Sequence, residues 1–486
     1  MLRIDLTSGN IDKEPTFKYT KKWVGGGALG AKLIWDNVSP SVRALDPENM
    51  LTFNAGPLSG TLLGTKMEVV TKSPKYTNNP MGTAGMGGQF PAEMKFAGYD
   101  SVAITGKAKH PVYLYVSNEH VEIRDASHLW GLNTGETQER LRAELNDPDV
   151  QIACIGPAGE NQVVYALIIH DIQNAASWGG FGAVMGSKNL KAIAVRGTKA
   201  LKVADPKRVK EKWDKHFQKL FIGKASPMIK SLNREGIGHH YDDYIRYGIW
   251  QWGWGLDASW DAPPLPQKDT LADFTKKYST GNLGCAFCPV QCQQNFSVPG
   301  IGNGGATCNL MFSFRSHLKT YDTKTWFRAM KRLQDYGIEG QELSMITGWL
   351  MLLYEKGLIT AEDTNGVPME WGSEEAMMTV IDSIALQKGF GKLFRTGVAK
   401  PAGDLAHGDG KQYVPYERNE IIYYFLPEAG VIPLGTGGMR LMRTRNHFLY
   451  WQPPEDRHAM VDIYMEEMGK SREEVVALME RMLGEF

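Results

Sequence analysis

Three of the chain's five cysteines fall inside one short stretch, Cys285-Ala286-Phe287-Cys288-Pro289-Val290-Gln291-Cys292. Cys308 follows at the far end of the glycine-rich run Gly300-Ile301-Gly302-Asn303-Gly304-Gly305-Ala306-Thr307. So few residues between thiols let one short turn aim several sulfurs at one place. In a cysteine-poor chain that pattern serves a metal, and an iron–sulfur cluster is the leading reading. A structural zinc knot and free core thiols are the alternatives left open by the residues alone.

The bulk properties exclude more than they select. A chain of 486 residues has room for roughly two to four domains. Its 54 basic and 54 acidic residues cancel, so no broad electrostatic case for nucleic acid exists. The N-terminal Met1-Leu2-Arg3-Ile4-Asp5-Leu6 has no apolar core of signal-peptide length. Apolar runs such as Ile346 to Tyr354 contain Thr347 and Gly348 and are too short to span a bilayer. Five cysteines, three of them clustered, do not make a secreted disulfide framework. The expectation is a cytoplasmic protein with no membrane span.

The 53 glycines gather at particular places, which points to close backbone approach to a ligand. Residues 1–200 read as mostly β, with strands at Leu2 to Leu6, Met67 to Thr71 and Val112 to Val116. Three glycine-rich loops accompany them: Gly25 to Ile34, which opens into a helix, Met81 to Phe90, and Trp178 to Lys188, which precedes a strand from Lys191 to Arg196. Each can bring backbone N–H groups onto a phosphate, although glycine runs are also ordinary turn material. Together they suggest a large polar ligand lying across one β-rich domain. From about 201 the chain turns helical, with a basic helix at Pro206 to Lys219 that reads as a solvated face and amphipathic segments near 323–335, 340–356 and 373–387. Upstream of the cysteines, His239 and His240 open an aromatic tract ending at Trp254. They suit proton transfer at neutral pH, or are simply packed or exposed imidazoles. A last helix is expected from about Arg472 to Leu483.

Several stretches in consistent order over roughly residues 1–400 carry a family likeness: Leu2 to Gly9, Gly25 to Asp36, Val69 to Pro74, Phe96 to Asp100, Gly182 to Ile193, the cysteine motif, and Leu353 to Ile359. They resemble the aldehyde:ferredoxin oxidoreductases, tungsten enzymes carrying a bis-pyranopterin cofactor. The resemblance implies an α+β fold, with a β-rich N-terminal saddle domain (1–200) on which two pterins lie. A mainly helical domain with the iron–sulfur and pterin motifs (201–400) would follow, then a shortened remnant of the family's third domain (401–486). It implies that Lys66 lies near a pterin phosphate and that Gly85, Gly87 and Gly88 approach the pterins. Ala183, with Gly182 beside it, falls where a backbone carbonyl helps bind the magnesium bridging the two phosphates. The family's Asp-X-X-Gly-Leu-Asp pterin motif appears as Gln334-Asp335-Tyr336-Gly337-Ile338-Glu339. Glu339 and Gly337 keep their places, while the first acid is displaced to Asp335 or lost.

Cys285, Cys288 and Cys292 are then ligands of a 4Fe-4S cluster, whose fourth ligand is Cys154, Cys308, a non-cysteine group or a residue of a partner chain. Cys308 also resembles the cysteine that ligates tungsten in class II benzoyl-CoA reductase, and a soft thiolate suits that metal. This favours a tungsten (or molybdenum) enzyme reducing an aromatic or other acyl-CoA thioester, with His239 or His240 as proton donor. Aldehyde oxidation is the first alternative, and a non-catalytic pterin-binding or scaffold subunit the second. The implied partners are a small-molecule substrate and a ferredoxin-like carrier or iron–sulfur subunit, and an oligomer is expected.

Overall fold

The computed structural model describes residues 1–76, 79–177, 179–217, 230, 233–236, 270–306, 314–315, 317–397 and 471–474. Short alternating strands build a first sheet from β1 (Leu2–Asp5), β2 (Asn10–Lys13), β3 (Leu51–Ala55), β4 (Met67–Lys72), β5 (Met81–Met86) and β6 (Ser101–Thr105). Their spatial order is β2-β1-β6-β3-β4-β5. A second sheet comprises β7 (Val112–Ser117), β8 (His120–Asp125), β9 (Gln151–Cys154), β10 (Ile168–His170), β11 (Asn174–Ala176) and β12 (Leu190–Arg196), ordered β11-β10-β9-β12-β7-β8. Each sheet contains a single parallel pair, β1 with β6 and β7 with β12.

The period of two along each strand sorts side chains into layers. Ile4, Phe53, Val69 and Ile104 of the first sheet share a buried core with Leu114, Ile193 and Val195 of the second. On β12 the intervening Ala192 and Ala194 face the other way, joining Tyr113, Ile152 and Leu141 beneath the Thr134–Glu144 helix. Across the first sheet, Leu29, Leu33 and Ile34 of the Gly26–Asn37 helix cover Val70 and Ala103. Gly30 lets that helix sit down on the sheet, since a Cβ there would come within 2.4 Å of Asn54 Nδ2. The base domain is therefore helix, sheet, sheet, helix, an α+β arrangement.

The second half packs helices Leu271–Tyr278, Thr323–Tyr336, Gly340–Glu355 and Glu374–Ala385 against a small sheet of β13 (Ser279–Leu283), β14 (Gln293–Val298) and β15 (Gly302–Ala306). Asp322, Glu339 and Ser373 cap three of these helices with side-chain oxygens. Their core, around Trp326, Phe327, Leu343, Trp349 and Ile381, extends into the base domain through Tyr165 and Ala166. The two halves also share backbone bonds. Leu167 N–H donates to Gly337 O at 2.7 Å, and Glu339 N–H donates to Tyr165 O at 3.1 Å.

The β-rich start and helical continuation agree with the sequence, but two of the expected glycine-rich loops, and the glycine-rich run before Cys308, are largely ordered elements. Most of the Met81 to Phe90 stretch is the strand β5, and Phe181–Ser187 is a helix. Most of Gly300 to Thr307 is the strand β15. The glycines are there for packing. A Cβ on Gly182 would lie 2.4 Å from Leu167 O, on Gly186 1.9 Å from Gly159 O, and on Gly304 2.8 Å from the Phe327 ring. The basic helix begins at Pro206 as expected and is described to Phe217. The expected C-terminal helix lies almost wholly outside the described residues. Among the described residues no helix is long and apolar enough to cross a membrane.

Candidate functional site

The cysteine loop leaves β13, turns through Cys285 to Cys292 and enters β14. A Cys288 N–H to Cys285 O bond of 2.9 Å closes the turn, forcing Phe287 to a left-handed φ of +59°. A bulky residue there carries backbone strain of about 1–2 kcal/mol. Phe287 is exposed between two half-buried thiols, its ring edge-on to Phe96 at 6.3 Å. An open cavity of about 320 Å³ beside it is lined by Gln89, Glu93, Phe96, Cys285, Phe287 and Cys288.

The loop rests on the turn that follows β5. Ala286 N–H donates to Gly88 O at 3.1 Å, and Gln89 Nε2 donates to Gly284 O at 3.3 Å. A Cβ on Gly87 would fall 2.6 Å from Cys285 Sγ, and one on Gly88 2.5 Å from the His170 ring. The buried His170 fixes this turn. Its Nδ1 lies 2.9 Å from Ile152 O, and its Nε2 accepts from Gln89 N–H (3.1 Å) and Phe90 N–H (3.2 Å). Those partners place the ring proton on Nδ1. Asp171 Oδ2 also approaches Nε2, at 3.2 Å.

None of the described cysteines is in a disulfide. Burial pushes the Cys288 thiol up, and the neighbouring Cys285 adds to it. A bound cation would reverse that balance. No three His, Cys, Asp or Glu side chains converge on one ion among the described residues. Convergence on one ion is what a zinc knot demands, whereas a four-iron cube binds each thiolate to a different iron. Three cysteines in one loop, with Cys285 Sγ packed where Gly87 leaves no room for a side chain, are compatible with such a cluster. Cys154 is spent elsewhere: it is buried under the Thr134–Glu144 helix, its thiol pushed up to about 12 by burial and donating to Thr134 O.

The pterin-motif residues lie at the seam between the halves. Gly337, at φ +64°, ends the Thr323–Tyr336 helix. The buried Glu339 starts the next helix, accepting from Gln341 N–H (2.9 Å) and Glu342 N–H (2.8 Å). It also faces the Lys75 ammonium at 3.5 Å, with Glu342 on the same ammonium at 3.3 Å. Burial works against the Lys75 charge, but Glu339 and Glu342 outweigh it and hold the lysine above its ordinary range. Asp335 is partly exposed and pairs with Lys331 at 2.7 Å, while Gln334 turns inward and donates from Nε2 to Gly305 O at 2.7 Å. Lys66 lies along β5, its Cε 2.8 Å from where a Gly85 Cβ would be. Gly182 and Ala183 form the first turn of the Phe181–Ser187 helix, fully buried against Ala166 and Leu167.

The structure thus brings Gly87, Gly88 and Cys285 into one place and Gly337 and Glu339 into another. His239, His240 and Cys308 lie outside the described residues. Sequence reasoning missed His170, Asn174, Gln293, Lys75 and Glu342, which belong to no motif. Their partners are remote in sequence: Gln89 for His170, and each other for Asn174 with Gln293 and for Lys75 with Glu342. A weak cue existed for Lys75, which directly follows the family-like stretch ending at Pro74.

Comparison with known proteins accords with this architecture. Residues 1–197 match the aldehyde ferredoxin oxidoreductase N-terminal domain, and residues 250–415 match domains 2 and 3 of the same family. The tungsten-containing aldehyde ferredoxin oxidoreductase of Pyrococcus abyssi is 37% identical over 82% of this chain and 65% of its own length. That of Pyrococcus furiosus is 35% identical over 84% and 67%. Among solved structures, the active-site complex BamBC of benzoyl coenzyme A reductase with 1,5-dienoyl-CoA matches with a TM-score of 0.75. The identity there is 32%, over 87% of this chain and 64% of that one. The chain spans about two thirds of the length of the curated relatives it matches. Fold, motif order and sequence likeness agree that this chain belongs to the aldehyde ferredoxin oxidoreductase family.

Proposed function

We propose that the protein is a tungsten oxidoreductase, with molybdenum the alternative metal, that holds two pterins and one 4Fe-4S cluster. Its reaction is reduction of an aromatic or other acyl-CoA thioester. The observation that carries the redox reading is the seating of the Cys285 loop on the glycine turn after β5. When bound, the pterin-held metal supplies two-electron chemistry and the cluster passes electrons singly. The chain's own residues do the rest. Cys285, Cys288 and Cys292 would hold the cluster, with Gly87 leaving the space beside Cys285 clear. Exposed Phe287, between two cluster thiols, puts the cluster within reach of a ferredoxin-like carrier or an iron–sulfur subunit. Lys66, Gly85, Gly182 and Ala183 would meet the pterin phosphates and their magnesium, and Gly337 and Glu339 a pterin edge. His239 or His240 would supply the proton. A cytoplasmic, oligomeric enzyme belongs to the same proposal.

Support for the acyl-CoA substrate is Cys308, two residues beyond β15, together with the likeness to a benzoyl-CoA reductase complex holding a dienoyl-CoA. Aldehyde oxidation is the second reading, supported by relatives named aldehyde ferredoxin oxidoreductases. Anaerobic assays separate the two. Oxidation of a reduced dye by aromatic acyl-CoA thioesters is the expected outcome, and dye reduction with aldehydes alone would sink the first reading. Purified protein containing iron but neither tungsten nor molybdenum would favour a non-catalytic subunit.

A further inference from the structure

Two amide side chains meet across the seam beside the cysteine loop. Asn174 begins β11 in the base domain, and Gln293 directly follows Cys292 as the first residue of β14. Both are buried, at 6% exposure. They bond reciprocally: Gln293 Nε2 donates to Asn174 Oδ1 at 2.7 Å, and Asn174 Nδ2 donates to Gln293 Oε1 at 3.3 Å. Such a ring satisfies both groups at once and fixes their mutual orientation, as a single bond does not.

The pair touches the same turn that carries Cys285. A Cβ on Gly87 would lie 3.2 Å from Asn174 Oδ1 and 2.6 Å from Cys285 Sγ, and one on Gly88 2.8 Å from Asn174 Nδ2. The Asn174 amide and the Cys285 thiol therefore both pack against the same bare face of Gly87. A second amide contact lies close by, with Gln173, next to Asn174, donating from Nε2 to Oδ1 of Asn295, two residues beyond Gln293, at 2.8 Å. A hydrogen-bonded path thus joins the base domain to the residue after Cys292, and packing joins it to Cys285.

We propose that Asn174 and Gln293 are positioning residues that set Cys285 and Cys292 relative to each other across the domain seam, and so hold the iron–sulfur cluster in place. The inference rests on the cluster reading above. Gln293→Met and Asn174→Leu keep side-chain volume and remove the bonds. Their test uses the anaerobically purified, iron-loaded chain. Cluster absorbance under an iron chelator is expected to decay about 5-fold faster or more in either variant, the change that follows from losing an ordinary buried hydrogen bond. The low-temperature electron paramagnetic resonance spectrum of the reduced cluster should also change. The double variant should be little worse than either single, because one interaction is lost in all three.

Asn161→Ala is the control. It removes another bond across the seam, Asn161 Nδ2 to Ala385 O at 2.8 Å, away from the cysteine loop. It should lower the thermal midpoint and leave cluster decay and spectrum unchanged. Gln293→Glu, which still accepts from Asn174 Nδ2, decides the matter if Gln293→Met does not fold. Folded variants with wild-type decay and spectrum would overturn the positioning role while leaving the cluster reading intact. A wild-type protein without iron would overturn both.

Discussion

Lys75 and His317 show what burial does to single ionisable groups in this fold. Lys75 is 2% exposed between Glu339 and Glu342. Its replacement by Met would leave two buried carboxylates without their cation, a loss of about 3–5 kcal/mol. A large drop in the thermal midpoint of Lys75→Met is the expected result, and an unchanged midpoint would contradict the pairing. His317 has its Nδ1 3.2 Å from Ser344 Oγ and, for Nε2, no hydrogen-bond partner among the described residues. Burial lowers its pKa to about 4, against the usual 6.5 or so in an unfolded chain. Between those values the unfolded state binds a proton that the native state refuses. Stability contributed by this group is therefore full above about pH 6.5 and drains away as pH falls toward 4, by roughly 3 kcal/mol in all. Urea midpoints of wild type and His317→Phe between about pH 7 and pH 4.5 check this, since the variant should show the shallower fall. At this scale the sequence was uneven. The tight turn at the cysteines was legible from their spacing because the bond that closes it, Cys288 N–H to Cys285 O, is local. Lys75 was not, because its partner Glu339 lies 264 residues away, and no local pattern encodes such a pairing.

At the scale of elements, glycine was the residue read least well. A glycine-rich stretch such as Trp178 to Lys188 carries the same composition whether it is a phosphate loop or a close-packed helix. What decides is the neighbour, which only the fold supplies. In the Phe181–Ser187 helix a Cβ on Gly186 would meet the backbone oxygen of Gly159 at 1.9 Å. Backbone cannot move aside as a flexible side chain can, so Gly186→Ala should destabilise by about 1–3 kcal/mol or more. Gly135 makes the contrast. It sits in the first turn of the Thr134–Glu144 helix, where a Cβ would meet only Asn133 Oδ1, at 3.4 Å. Gly135→Ala should stabilise the protein by about 0.5–1 kcal/mol, through helix propensity and a less flexible unfolded chain. Denaturation midpoints moving in opposite directions would confirm that packing fixes the first glycine and not the second. The long helices were legible for the opposite reason. Their apolar period and their caps at Asp322 and Ser373 are local signals that tertiary context did not override.

Over the whole molecule, the order of elements leads from the cysteine loop out along β14 and back along β15 to Ala306. β14 begins right after Cys292, and β15 pairs with it and ends at Ala306, so the chain turns back toward the cysteine loop just before Cys308. The register sets Ala306 opposite Gln294, two residues from Cys292. Gln334 and Gln173 hold Gly305 from both sides, one by hydrogen bonds to its backbone and the other by contact. Cys308 itself lies outside the described residues, two positions beyond Ala306, and under the proposed function its thiol is a candidate for either metal. One thiol cannot serve both, and element analysis of Cys308→Ala purified without oxygen distinguishes them. If Cys308 ligates tungsten, the variant should keep its iron and the broad visible absorption of the cluster while losing most of its tungsten. If Cys308 is the fourth cluster ligand, iron should fall and the cluster should become labile with tungsten retained. The first result is expected, because a thiolate on the metal is what the acyl-CoA reading requires. The second would move that reading behind aldehyde oxidation.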